Sequence, residues 1–351
     1  MYYVSRQCRS DPALSKCPCH IARLNEELGF CVDLLEHQLA RAVKDPLGRA
    51  YNRTKLLNER TEMLQCWEDH LDQLGRGRWE EILKNKRGWV MAEGSNGKVL
   101  SEVKDHILKI TISNPSKRNA FDPEMMLELS NALTELDANP ELWVGVLTAE
   151  GEHFTAGLDM PKFFGPGANP TPIPEDNVSV FGLGKTCSKP IVTAMQGISF
   201  TIGIEMALAG DIIIAAEDCR FCQMEAKRGI APLGGAHFRY VSRSGWGNAM
   251  YHLMLCDEFG AEEAYRVGLV QEVVASGTQV QRAMEIARII SQNAPLGIQA
   301  TKAAGRKYIE AGEASAVNAI DDIRAKVMSS QDAAEGIQSF VERRAAVFAG
   351  R

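Results

Sequence analysis

The amino-acid sequence predicts an α/β fold, preceded by a mostly helical appendage and finished by a helical region. Three observations carry that reading. Strand-like and helix-like segments alternate from His106 to Ala215. A seam of small and polar residues, GWVMAEGSNG over 88–97, separates this rhythm from a different pattern before it. From Ala261 onward the patterning reads as helical throughout. The boundaries follow: a helical appendage over 1–95, an α/β core over 96–260, and a C-terminal helical region over 261–351 suited to oligomerisation.

In chain order, Lys55 to Leu74 places Leu56, Leu57, Met63, Leu64, Trp67 and Leu71 at spacings near three and four, a helix signature. Beyond the seam, Leu108, Ile110 and Ile112 alternate with Lys109 and Thr111, so His106–Ser113 is a half-buried strand. Asp122 can cap a helix that has Pro123 at its first position and Met126, Leu129, Leu133 and Leu136 as its buried stripe. Trp143–Thr148 reads as a second strand. Phe163–Asn177 is rich in proline and glycine, a loop of the kind that covers sites. Pro190–Ala194 is then a strand, Ile202–Ala209 a short helix and Asp211–Ala215 a strand. The closing helices are EEAYRVG (262–268), Val280–Asn293, Leu296–Glu310 and Ala334–Ala349.

The apolar content of 45% is ample for a core, and no run of about 18 apolar residues suggests a membrane span. The N-terminal twenty residues lack the apolar stretch of a secretory signal. Nine cysteines, an odd number without framework spacing, fit reduced thiols and a cytoplasmic location. Residues 1–95 hold 15 Lys+Arg against 14 Asp+Glu, and the remainder 24 against 31. The larger part is therefore acidic, which argues against a surface that coats nucleic acid.

The most informative pair is Glu205 and Glu225, twenty residues apart and each close to a glycine-bearing turn or a short strand. Water addition or proton transfer beside a carbonyl needs one carboxylate to take a proton while another group gives one. Singly, Glu205 would read as a surface helix glutamate and Glu225 as a strand-end glutamate. Upstream, the run Phe154-Thr155-Ala156-Gly157-Leu158-Asp159 is followed by Thr201-Ile202-Gly203-Ile204-Glu205, then Asp211, then Glu225. In this order and spacing the chain from about Val99 to Arg351 resembles the crotonase (enoyl-CoA hydratase/isomerase) superfamily.

That resemblance implies a spiral of ββα repeats whose C-terminal helices pack on neighbouring subunits, as a homotrimer or a dimer of trimers. It implies an acyl-CoA substrate, with coenzyme A as part of that substrate and no separate cofactor or metal. Glu205 and Glu225 would be the catalytic carboxylates, and the backbone N–H groups of Leu158 and Ile202 an oxyanion hole. Lys117, Arg118, Ala120 and Ala156 would contact coenzyme A. So would Phe340 and Arg343, reaching from a neighbouring subunit. Gly157, Asp159 and Gly203 would shape the turns. Two departures bear on substrate choice. Most members carry three glycines where this chain has Thr201, Ile202 and Gly203, so the pocket is expected to be narrower or re-angled. APLGGAHF (231–238) is one residue shorter than the usual turn, with Leu233 in place of glycine.

With both glutamates present the expected reaction is hydration of an enoyl-CoA. An enoyl-CoA isomerase, which needs one glutamate, is the alternative of the same fold, and a non-enzymatic acyl-CoA binder is a third. A reading from another class rests on residues of about 26–80, which resemble the C-terminal end of a phage-type tyrosine recombinase. There His37 matches an active-site histidine and Tyr51 the DNA-cleaving nucleophile. The arginines and lysine that would bind the scissile phosphate are missing, so a non-catalytic remnant is expected rather than a DNA-associated protein. Cys219-x-x-Cys222 lacks the second pair of a zinc site. Cys17, Cys19 and His20 have only Cys8 nearby, so no metal is expected at either place.

Overall fold

The computed structural model of the protein describes residues 97–164, 168 and 171–351. The chain divides into two units, Met1–Glu93 and Gly94–Arg351, and the described residues belong to the second. The expected helix at Lys55–Leu74, His37, Tyr51 and the cysteines at 8, 17, 19, 31 and 66 lie outside the described residues.

A six-stranded sheet in the order β1-β2-β3-β4-β6-β9 forms the frame. Its strands are β1 (Lys98–Lys104), β2 (Ile107–Ser113), β3 (Val144–Ala149), β4 (Ile191–Met195), β6 (Ile212–Ala216) and β9 (Glu272–Val274). The β1–β2 pair is antiparallel and every later pair is parallel. Both faces are covered, so the inner strands are apolar nearly throughout. Leu108, Ile110 and Ile112 face the layer that holds α1 (Pro123–Ala138), together with Leu147, Met195 and Ile213. The alternate residues Ile107, Val144, Val146, Val192, Ala194 and Ile214 face Ala283 and Ala287 of α6 (Gln279–Ser291).

The start of α1 follows its sequence. Asp122 accepts a hydrogen bond from the Met125 N–H at 2.9 Å, Pro123 opens the helix, and Met126, Leu129, Leu133 and Leu136 are buried. Two ββα units then repeat. In the first, β4 leads to β5 (Ile198–Phe200) and α3 (Ile202–Ala209). In the second, β6 leads to β7 (Arg220–Cys222), a 3₁₀ turn (Glu225–Arg228) and α4 (Ala236–Leu255). β5, β7 and β8 (Phe259–Gly260) make a second, three-stranded sheet. A short α2 (Met160–Phe164) occupies the start of the segment expected as a loop.

The expectation of uninterrupted helix after Ala261 is corrected. α5 (Ala261–Arg266) is followed by β9, which closes the sheet by pairing Ile214 with Glu272. The remaining helices are α6, α7 (Pro295–Asn318, broken at Gly312), α8 (Ile320–Met328) and α9 (Gln331–Glu342). Among the described residues no helix is long and apolar enough to cross a membrane.

Candidate active site

The small sheet places the two glutamates. β5 and β7 run parallel with Phe200 opposite Cys222, so the chain leaves both strands at the same edge. Five residues beyond Phe200 lies Glu205, in the first turn of α3, and three beyond Cys222 lies Glu225, opening the 3₁₀ turn. Both side chains line one cavity of about 750 Å³. Glu205 is only 2% exposed and Glu225 8%, so each carboxylate meets mostly protein.

Their surroundings differ. Glu205 Oε1 accepts a hydrogen bond from the Ala236 N–H at 3.1 Å, at the start of α4. A Cβ on Gly234 would collide with Oε2 of the same carboxylate, so the turn before α4 approaches only because that position is glycine. Burial raises the affinity of Glu205 for a proton, and the N–H groups of Ala236 and Gly234 oppose that rise. Glu225 lacks such donors from the α4 turn. Burial pushes it up to about 7; its own backbone N–H opposes this and the nearby charge of Glu205 adds to it. Gln223 is buried beside it, and with its amide nitrogen turned to Glu225 it donates to Oε1 at 3.0 Å and Oε2 at 3.2 Å. In the opposite orientation the amide oxygen accepts from a protonated Glu225, so one residue serves both forms.

The segment 154–159 forms the facing wall. Thr155 is locked by its hydroxyl, which donates to the Asn119 carbonyl at 2.6 Å, and buried Asn119 in turn donates to the carbonyls of Glu150 and His153. Leu158 bridges Phe121: the Phe121 N–H donates to Gly157 O at 2.9 Å and the Asp159 N–H to Phe121 O at 2.7 Å. In that pattern the N–H of Leu158 points away from Phe121. The N–H of Ile202, at the first position of α3, also lacks an intrahelical acceptor. Among the described residues neither group has a hydrogen-bond acceptor, and both residues line the cavity.

Gly157 has φ +108, and a Cβ there would meet the Thr201 hydroxyl, so it fits the expected turn role. Gly203 does not. It lies inside the first turn of α3, where a Cβ would crowd Thr155 Cγ2 at 2.5 Å, so its role is close packing of helix on the wall segment. Thr201 takes φ +48 and ψ −114, the left-handed side of backbone space that a β-branched residue avoids, at a cost of about 1–3 kcal/mol. The triple-glycine departure is therefore accommodated by strain at Thr201, while Ile202 is an ordinary helical residue with its side chain buried.

Of the residues expected to contact coenzyme A, Ala156 lines the cavity. Lys117 and Arg118 are exposed on the turn after β2, and Ala120 is half-buried. The Lys117 ammonium pairs with Asp159 at 2.9 Å, which ties that turn to the wall segment. Phe340 and Arg343 are not brought to the cavity of their own chain: they sit at the end of α9, with Phe340 84% exposed. Cys219 and Cys222 are buried, and burial pushes their thiols up, Cys219 to about 12 and Cys222 to about 11, which favours the protonated form.

Three groups escaped the sequence reading. Gln223 stands two residues before Glu225 and meets it across Met224, whose backbone is not extended (φ −104, ψ 11), so strand alternation does not mark it in the sequence. Gly234 and Ala236 hold Glu205 from a turn noted only for its length and for Leu233. Arg239, nearly buried, donates to the carbonyls of Gly234 at 3.1 Å and Gly182 at 3.2 Å, clamping that turn to the cavity rim. An arginine in a helix start gives no such hint in sequence.

Comparison with known proteins identifies the family. The family model described as enoyl-CoA hydratase/isomerase matches residues 102–351. Enoyl-CoA hydratase EchA19 of Mycobacterium tuberculosis is 32% identical over 256 residues, covering 72% of this chain and 96% of that protein. Carnitinyl-CoA dehydratase of Salmonella typhi is 33% identical over 259 residues, covering 70% and 95%. A crystal structure described as a probable enoyl-CoA hydratase/isomerase from Mycobacterium abscessus is 40% identical, with TM-score 0.70, covering 72% of this chain and 99% of that one.

Proposed function

The chain belongs to the enoyl-CoA hydratase/isomerase family, and from that membership and its site we propose that it is an enoyl-CoA hydratase, adding water across the double bond conjugated to an acyl-CoA thioester. The observation that carries the reading is the pair of buried carboxylates on one cavity wall, held in unlike environments beside two unpaired backbone N–H groups.

Attack of water on the third acyl carbon requires negative charge to collect on the thioester oxygen. The N–H groups of Leu158 and Ile202 stabilise that charge, and the Ile202 donor stands at the positive end of α3. Glu205, held by the N–H groups of the α4 turn, is the carboxylate that takes the proton of the attacking water. Glu225, whose proton affinity is raised by burial and by the charge of Glu205, is the acid that delivers a proton to the second carbon. Water enters between them, and its oxygen bonds to carbon as its proton moves to Glu205. Gln223 positions Glu225 through both halves of the cycle. The pair titrates as a unit, so its apparent pKa values belong to both groups.

Acyl and pantetheine chains suit the apolar wall formed by Met126, Phe163, Val180, Phe181 and Ile230. Lys117 and Arg118 are assigned to the phosphates of coenzyme A, and Phe340 and Arg343 to the same ligand from a neighbouring subunit of a trimer or a dimer of trimers. No cofactor besides the thioester is needed, and the free buried thiols suit the cytoplasm. Residues 1–95 are read as a remnant outside the chemistry. The test is Glu205→Gln and Glu225→Gln: each should lower hydration of crotonyl-CoA roughly 10²- to 10⁴-fold while leaving acyl-CoA binding nearly unchanged. An isomerase would instead leave one of the two variants near full activity.

A further inference from the structure

Thr201 is strained, and among the described residues no hydrogen bond uses its side chain. Its backbone is fully engaged: the N–H donates to Cys222 O at 2.9 Å, and the carbonyl accepts from the N–H groups of Ile204 at 3.0 Å and Glu205 at 3.2 Å. Those bonds hold φ at +48. A glycine there would make the same backbone bonds without the steric cost. Strain of this kind persists where a site depends on it.

The side chain crosses from one wall of the cavity to the other. Thr201 Oγ1 lies 2.5 Å, and its Cβ 3.8 Å, from the place a Cβ on Gly157 would take. The hydroxyl thus belongs to the residue before Ile202 and rests against the residue before Leu158. Thr201 lines the cavity and is half-buried, and among the described residues its hydroxyl has no hydrogen-bond partner. A threonine hydroxyl offers one donor that rotates to suit an acceptor.

We propose that the Thr201 hydroxyl is a third hydrogen-bond donor to the thioester oxygen, beside the N–H groups of Leu158 and Ile202. The inference rests on the oxyanion site of the proposed function. A merely steric role, with Thr201 as a spacer against Gly157, makes different demands. Valine keeps the branch and the volume but has no hydroxyl, serine keeps the hydroxyl but loses the branch, and glycine loses both while fitting the backbone.

The experiment uses the full-length protein and butyryl-CoA labelled with carbon-13 at the thioester carbonyl, a saturated probe that binds without reacting. Isotope-edited infrared difference spectra read the carbonyl stretch, which falls as hydrogen bonds to that oxygen strengthen. In the wild type the bound band should lie below that of free butyryl-CoA. Thr201→Val and Thr201→Gly should both move it back upward. Each should also lower kcat for crotonyl-CoA about 10- to 100-fold, less than the loss of a sole donor because two others remain, with KM changed by less than about threefold. Thr201→Ser should recover the band position and most of the turnover. Thr201→Gly keeps the test open should the valine variant fail to fold, since glycine adopts this backbone freely. If either hydroxyl-free variant keeps the wild-type band and kcat, the third donor is refuted and the oxyanion reading stands. If the wild-type band coincides with that of the free thioester, the oxyanion reading itself fails, and this inference with it.

Discussion

Replacing Glu225 by glutamine should stabilise the protein at alkaline pH and leave it unchanged in acid. The folded structure raises the proton affinity of this carboxyl from an ordinary 4.5 to about 7, chiefly by burial. A carboxyl with a raised folded pKa costs stability only when ionised. The cost is absent below about pH 4.5, grows as the pH rises, and is complete above about 7. At about 1.36 kcal/mol per pKa unit, the gap sets a ceiling of roughly 3 kcal/mol, and water entering the cavity reduces this to about 1–3 kcal/mol. Glutamine removes the charge, keeps the shape and can still pair with Gln223. For a unit of this size 1 kcal/mol is worth about 2–4 °C, so Glu225→Gln should melt roughly 2–12 °C above wild type at about pH 8.5 and within about 1 °C of it at about pH 4.5. Thermal unfolding followed by circular dichroism at one protein concentration measures this, the fixed concentration removing any effect of subunit assembly. A gap that does not change with pH, or a wild type more stable than the variant at pH 8.5, would refute the assignment of the raised affinity to Glu225.

Other outcomes follow from the same account. Because Glu205 and Glu225 act on one water, the double glutamine variant should retain far more activity than the product of the two single losses implies, as single- and double-mutant kinetics will show. A protein that begins at Met91 should fold, assemble and keep its turnover; loss of turnover with the fold intact by circular dichroism would make residues 1–90 part of the enzyme. The apolar side chains of Ile337 (60% exposed), Val341 (74%) and Phe340 (84%) on α9, with Ile320 on α8, need covering, so light scattering at micromolar concentration should report a trimer or a hexamer, and a monomer would contradict it.

Much of the frame was legible because its signals are local. Asp122-Pro123 announces α1, the stripe Met126, Leu129, Leu133 and Leu136 gives its buried face, and Ile202–Ala209 has the bounds read from the chain. β1 lay outside the reading because its residues are mostly exposed, so no apolar alternation marks it. β9 is three residues long, between Gly268 and Gly277, and is a strand only because β6 offers it an edge. The candidate site divides the same way. Glu205 and Glu225 stood out by spacing, but what distinguishes them is the α4 turn, a distant element that meets Glu205, and Gln223, a near neighbour whose amide meets Glu225. Gly203 was read as a turn residue because glycine is usual in turns, whereas its neighbours in space, Thr155 and Phe154, demand it inside a helix. The departure at Thr201 was visible as a missing glycine. That the strain falls on Thr201 and not on Ile202 emerges only when the backbone is closed against Cys222.

The central claim is that water is added to a conjugated thioester, and product mass in oxygen-18 water tests it most directly. The full-length protein is incubated with a panel of enoyl-CoA thioesters of different chain length, and the products are weighed by mass spectrometry. The account expects at least one thioester to gain one labelled water, with the label on the third acyl carbon and the conjugated absorbance lost in step. Products of unchanged mass would make the protein an isomerase, and no turnover across the panel would leave it an acyl-CoA binder. Either result would contradict the account.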